Sequence, residues 1–496
     1  MFKKLIILSL VSSIAIMSSC NNKAESVTAE SFVINNAVLD NSTDTLISMS
    51  ENEITVNGEM ISGDASENVY IANDIIYYES GKDASYGEGT EADTHSAEDA
   101  AKHTVVHITK PGTYRLSGSL NGQIFVDLGD NAKEDINAIA TLILDNVDIT
   151  CTVAPAILFY NVYECGVKDE TTATATVNTS NAGANVIIAD HSINTINGAY
   201  VARIYEPGTT DKLHKYDGAF YSKRSMNIDD AGDGTGVLHI NATNEGLDSE
   251  MHLTINGGNI TITSQNDGIN TNEDNISVTT INDGVLTINA GLGAEGDGID
   301  SNGFITINGG TILTSSCDKG PDGGIDADRD IIINGGTIIA CGNQNGEVSK
   351  LSTQKFLQAT LPDGIPANSN VTISSKLLND NNNQISFTTI KSCTALTISS
   401  PKLDEGEYKI SINGNETVYN EAGRMQPPMF NNGKRPEMGG ERFEIPNAPE
   451  GIDEWMNETE IPEDIRTWIN KMKDFSKIAN SRDKDMMQPP DKMPNV

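Results

Sequence analysis

The chain is 496 residues long and carries 33 Lys plus Arg against 70 Asp plus Glu, a formal charge of −37. So acidic a surface repels phosphate backbones and anionic headgroups, which excludes nucleic-acid binding and a basic membrane-facing patch. Hydrophobic residues are only 37% of the chain, but through its middle they recur periodically, which excludes a wholly disordered protein.

Residues 1–20 have the pattern of an export signal: Lys3 and Lys4, an apolar run from Leu5 to Met17, then Ser18-Ser19-Cys20. The apolar run is too short to cross a bilayer. A Cys directly after two small residues resembles the bacterial lipoprotein signal, which implies that Cys20 carries lipid and starts the mature chain. Membrane contact is then expected only through this N-terminal anchor, on an exported protein of the cell envelope or cell surface. Residues 21–70 are polar, rich in Ser, Thr, Asn and Glu, and read as a tether. Five further cysteines (Cys151, Cys165, Cys317, Cys341 and Cys393) match no zinc spacing, and their odd number leaves at least one unpaired within the chain.

Residues 71–345 hold the regular pattern. Gly258, Gly284, Gly310 and Gly336 recur every 26 residues, each with an Asn two positions earlier and an Ile or Leu two positions later. Apolar and polar positions alternate around them at period two, the signature of strands. A repeat of this length made only of short strands predicts an all-β, right-handed parallel β-helix. The columns Asn256, Asn282, Asn308 and Asn334 are expected to form a side-chain ladder, and the glycines to supply a bend. The segment from Tyr200 to Lys215 breaks the pattern and reads as a loop on the flank.

Between the glycines runs a second set of anchors: Asp217-Gly, Glu245-Gly, Asp267-Gly, Asp297-Gly and Asp322-Gly-Gly, each followed by an apolar residue. Next come two oxygen-bearing columns, Asp248, Asn270, Asp300, Asp326 and Glu250, Asn272, Asn302, Asp328. Two carboxylates stacked at strand spacing repel by about 1 kcal/mol in water and about 4 kcal/mol at an effective dielectric of 20. Calcium answers that repulsion, because it takes six to eight oxygens from mixed carboxylate, amide and backbone donors. The candidate ligands are Glu245, Asp248, Glu250, Asp267, Asn270, Asp297, Asp300, Asn302, Asp322, Asp326 and Asp328.

Residues 350–420 contain short strand-like runs and read as a small β domain. Residues 421–496 are rich in Met, Pro and Asn and read as a tail with one short helix from about Glu463 to Ile478.

The stretches VVHITKPGTYRLSGSLNGQIFVDL (residues 105–128), TLILDNVDITC (141–151) and EGDGIDSNGFITINGG (295–310) resemble the exported carbohydrate-binding domain family of calcium-containing parallel β-helix proteins, akin to the β-helical pectate lyases. The resemblance covers roughly residues 75–345. It implies a calcium-stabilised β-helix that binds a polysaccharide, pectic, cellulosic or another plant glycan; that it does so without catalysis is the reading of the residues, whose candidate bases look like solvated turn residues. Tyr200, Tyr205, Tyr216 and Tyr221 cluster near the insertion and are the candidate sugar platform. Two alternatives stand beside this reading. A calcium-dependent polysaccharide lyase would need a base from Lys319, Arg329, Lys223 or Arg224. A structural surface adhesin would use the repeats as a spacer.

Overall fold

In a computed structural model the described residues are 44–375, 384–403 and 406–422. The signal with Cys20, the tether up to residue 43 and the tail from residue 423 lie outside them. The protein is all-β: beyond strands and turns, the described residues contain only one four-residue α-helix and two three-residue 3₁₀ helices. Among them no helix is long and apolar enough to cross a membrane.

The repeats pair in parallel, each strand lying on its counterpart from the previous repeat. One ladder runs from Val237–Ala242 through Asn259–Ser264, Val285–Asn289 and Thr311–Ser315 to Thr337–Gly342. A second joins Met226–Asp230, Leu253–Ile255, Val278–Ile281, Phe304–Ile307 and Ile331–Ile333. A third joins Thr104–Ile108, the end of Gly112–Asp127, Ile157–Asn161, Gly218–Ser222, Glu245–Ser249 and Ile269–Thr271. An Ile269–Ile299 bridge carries that register into the next repeat.

The register explains the core. Ile228, Ile255, Ile281, Ile307 and Ile333 form one column, and Leu238, Ile260, Leu286, Ile312 and Ile338 another. Nine of the ten are 0% exposed and Leu286 is 1% exposed. The core is thus a stack of aliphatic layers, which needs few aromatic rings. Outside it, the expected asparagine ladder is present. Asn282, Asn308 and Asn334 each donate from Nδ2 to Oδ1 of the Asn one repeat earlier, at 2.8, 2.9 and 3.0 Å. The following turns need glycine on two counts. Gly310 has φ +84°, and a Cβ there would stand 2.9 Å from the Gly284 carbonyl oxygen.

Two parts depart from the sequence reading. The polar tether was expected to reach residue 70, but Thr45–Met49 pairs in parallel with Gly112–Asp127, and Ile47 is fully buried. A strand this short, flanked by Ser, Thr and Glu, is masked by its neighbours in composition. The segment expected as a loop forms an antiparallel hairpin, Val201–Tyr205 with Lys212–Tyr216.

After the last parallel strand the direction changes. Cys393–Ser399 lies antiparallel on Thr337–Gly342, and Phe356–Ile365 lies antiparallel on Cys393–Ser399 in turn. The small β domain expected over residues 350–420 is therefore only partly separate: these two strands join the large sheet, while Asn370–Ser375, Ile385–Thr388, Gly406–Ile412 and Asn415–Ala422 form their own four-stranded antiparallel sheet. The five described cysteines are unpaired, all but Cys165 buried.

Candidate functional site

The third ladder places one column of side chains along a single face: His107, Phe125, Leu158, Tyr221, Asp248 and Asn270 occupy matching positions on successive strands. Backbone bonds from Asp300 N to Ile269 O and from Asp326 N to Ile299 O, both 2.8 Å, continue it. Aromatic and aliphatic residues therefore fill the early half of the face, and oxygen-bearing residues the later half. The hairpin reaches this face where the two halves meet, packing Tyr216 against both Tyr160 and Tyr221.

Within the later half the structure brings two groups of carboxylates together. Ligand atoms of Asp217, Glu245 and Asp248, all buried, lie within 4.8 Å of one another. So do those of Asp297, Asp300 and Asp326, which are half-buried. Asp217 stood among the sequence anchors but not among the expected ligands. Its place at the head of the Asp/Glu-Gly series was the signal that could have found it.

The two groups differ in their countercharge. From the hairpin, Lys215 Nζ reaches Asp217 Oδ2 at 2.6 Å and Lys212 Nζ reaches Glu250 Oε2 at 2.9 Å. Glu250 also accepts from the Tyr221 hydroxyl at 2.8 Å, so it is committed within the protein. Asp248 accepts from Asn272 Nδ2 at 2.7 Å and Glu245 from Asn270 Nδ2 at 3.2 Å. Yet Glu245 Oε2, Asp248 Oδ2 and Asn270 Oδ1 are buried without a partner. Burial raises the Glu245 and Asp248 carboxyls well above their ordinary range, and neighbouring carboxylates add to the rise. Burial raises Asp217 as well, against the pull of Lys215.

No Lys or Arg among the described residues forms an ion pair with Asp297, Asp300 or Asp326. Burial, reinforced by neighbouring carboxylates, pushes Asp297 and Asp300 up to about 7 and also raises Asp326. Asp267 reaches about 7 for the same reasons, although its Oδ1 accepts from Asp297 N at 2.6 Å. Asp297 accepts from Gly323 N, where the doubled glycine slips the register by one residue. That slip takes Asp322 out of the Asp/Glu-Gly column. Asp322 Oδ1 accepts from Gly296 N at 3.2 Å, and its Oδ2 is buried and unpartnered. Of the remaining expected ligands, Asn302 is tied to Asn272 O and Asp274 Oδ1, and Asp328 lies near enough to raise Asp300.

The donor sets fit a hard divalent cation. Asp217, Glu245 and Asp248 would carry three charges once ionised, against one from Lys215. The unanswered remainder is two, and partnerless buried oxygens surround it. Asp297, Asp300 and Asp326 would carry three once ionised, with no ion-paired Lys or Arg among the described residues.

The tyrosine platform is corrected by burial. Tyr216 and Tyr221 are 2% and 1% exposed, packed edge-to-face against each other beneath the hairpin. Tyr200 and Tyr205 are half-buried, Tyr200 donating its hydroxyl to Asp93 and Tyr205 to Glu88 at 3.3 Å, so two of the four rings are closed to a sugar and the platform as a whole is lost. Three of the four candidate bases are engaged within the protein. Lys319 Nζ donates to Gly293 O, Lys223 lies 4.1 Å above the Tyr160 ring, and Arg329 lies 5.7 Å from the Phe304 ring. Arg224 lines a small cavity with Lys133, Glu164 and Lys168.

No curated protein matches the chain. Among solved structures, one described as a polysaccharide lyase-like protein from C. thermocellum, in a gadolinium derivative, aligns at 22% identity with a TM-score of 0.35, covering 62% of this chain and 90% of that chain. The family described as carbohydrate-binding domain-containing protein matches residues 102–426. With about two thirds of its length inside that match, the chain belongs to the carbohydrate-binding domain-containing family.

Proposed function

We propose that this protein is a lipid-anchored, exported polysaccharide-binding protein, built as a right-handed parallel β-helix, stabilised by calcium and without catalytic activity. Family membership supports the polysaccharide. The three in-register parallel ladders support the β-helix. The lipid anchor rests on the sequence around Cys20 alone.

The observation that carries calcium is the convergence of Asp297, Asp300 and Asp326, which form no ion pair with Lys or Arg among the described residues. One ion there would draw carboxylates from two successive repeats and so fasten them together. A second ion fits at Asp217, Glu245 and Asp248, where Lys215 supplies part of the countercharge. Calcium would also give an acidic protein its means of holding a uronate chain, by bridging carboxylate to carboxylate. The favoured ligand is therefore a pectic polymer such as polygalacturonate.

The non-catalytic reading rests on how three of the candidate bases are held. Lys223 and Arg329 are engaged with aromatic rings, and Lys319 with a backbone carbonyl. Affinity electrophoresis in polygalacturonate tests both halves of the reading. Retardation is expected with calcium and should vanish with chelator. Unretarded migration in calcium would remove the pectic reading, and ultraviolet absorbance from an unsaturated uronate product would make the protein a lyase.

A further inference from the structure

The early half of the same face contains a cavity of about 490 Å³ that the acidic columns do not reach. Tyr70, Asp74, His107, Gln123, Phe125 and Asp127 line it, with Lys110 at its margin. We infer that this cavity is a second glycan subsite, one that takes an uncharged sugar ring and needs no metal. The inference rests on the polysaccharide-binding reading and extends it to a different class of sugar.

Its walls are built rather than incidental. His107 and Gln123 are more than nine-tenths buried. His107 Nε2 lies 2.8 Å from Asp74 Oδ1, while its ring stacks on Tyr70 with centroids 4.5 Å apart. Gln123 is held by a 2.7 Å bond from Nε2 to Pro155 O. Asp127 Oδ1 accepts from Gly129 N and Asn161 Nδ2, both at 2.9 Å. These bonds fix each side chain before a ligand arrives, which lowers the ordering cost of binding.

The polar groups that remain suit hydroxyls. Asp74 and Asp127 each keep a second carboxylate oxygen with no partner among the described residues, and the Tyr70 phenol stands near both. Burial first, and then those two carboxylates, raise the phenol so that it stays a hydrogen-bond donor. Two carboxylates against one lysine repel a uronate and accept from neutral hydroxyls. Apolar contact comes from Phe125, whose ring is tilted 59° from His107 and so leaves the Tyr70–His107 stacking plane. Ile76, Val105 and Leu128 add apolar wall beside the polar groups, so the cavity offers both a ring contact and fixed hydrogen-bond partners, the two things a sugar ring needs.

The position separates this subsite from the metal groups. Four strand steps lie between His107 and Asp248 in the column, roughly 19 Å at the usual strand spacing. The Tyr216–Tyr221 contact lies between them.

The test uses the full chain in chelator, titrated calorimetrically with cellohexaose, xylohexaose and mannohexaose. At least one should bind, and Phe125→Ala and Asp74→Ala should each weaken it by about tenfold or more. A thermal melt accompanies each variant, and if Phe125→Ala fails to fold, the more exposed Asp74→Ala decides. No binding of any neutral hexasaccharide, or wild-type affinity in the folded variants, overturns the inference. Hexagalacturonate with calcium is titrated in parallel. If it alone binds, the neutral subsite falls and the pectic reading stands; if only a neutral sugar binds, the reverse holds.

Discussion

Asp248 and Asp300 occupy the same column of one parallel ladder, two strands apart with Asn270 between them, yet only Asp248 feels the hairpin lysines. Lys215 and Lys212 both act to lower the Asp248 carboxyl, whereas the charges around Asp300 are the carboxylates of Asp267, Asp326 and Asp328. A single repeated position therefore meets two electrostatic environments, decided by an insertion. The consequences can be measured separately.

Calcium should stabilise the chelated protein. At a free concentration one hundred times its dissociation constant, a single ion adds about 2.7 kcal/mol. Asp300→Asn and Asp326→Asn should each weaken calcium binding in isothermal titration and shrink the calcium-induced rise in melting temperature. A chelated protein whose melting temperature ignores added calcium contradicts this.

The chelated protein should lose stability as pH rises from about 4 to about 7. Asp267, Asp297 and Asp300 hold their protons in the folded state up to about 7. An unfolded Asp releases its proton near pH 4, at about 3.9. Between those values the native state binds more protons, so stability falls with pH; the contribution is complete below the unfolded value. Calcium competes with the same protons, so its stabilising effect should be larger at pH 7.5 than at pH 5. Melting curves across pH, with and without calcium, test the sign.

Lys215→Ala should destabilise the protein in chelator by about 1–3 kcal/mol, since it strips a buried carboxylate of its charged partner. Calcium should recover more of the loss than in Asp217→Asn, Lys215→Ala, where the carboxylate is removed as well. A double-mutant cycle in denaturant measures the difference. Equal recovery in the two would separate Lys215 from the cation site.

Two substitutions probe the stacked layers. Ile281→Ala, at a fully buried position between Ile255 and Ile307, should cost about 2–5 kcal/mol. Asn308→Ala breaks two links of the exposed amide ladder and should cost less, about 0.5–1.5 kcal/mol for each bond. Chemical denaturation should rank them in that order.

The repeat itself was legible because its constraints are local. Gly310 is required by a positive φ and a close carbonyl, and Asn308 by partners one repeat away on either side. The acidic columns were legible because each Asp or Glu stands at a fixed offset from a glycine. What hid was everything that depends on an insertion or an edge. Lys212 and Lys215 belong to a hairpin with no repeat, so nothing in their spacing pointed to Glu250 and Asp217. Tyr216 and Tyr221 read as surface rings because their burial comes from packing against each other. His107 stands in no repeat or motif, and only its strand partner Phe125 and its neighbour Asp74 make it part of a cavity wall.

The antiparallel strand Cys393–Ser399 has a bearing on solubility. The last parallel strand, Thr337–Gly342, would otherwise present a row of free amides and carbonyls, an edge on which a strand of another chain could pair. A strand of reversed polarity occupies that row and spends its own other edge on Phe356–Ile365. The later residues thus act as a stopper, matching the antiparallel Ile54–Val56 that covers Thr45–Met49 at the other end, and a chain truncated after residue 345 is expected to self-associate through the edge it exposes.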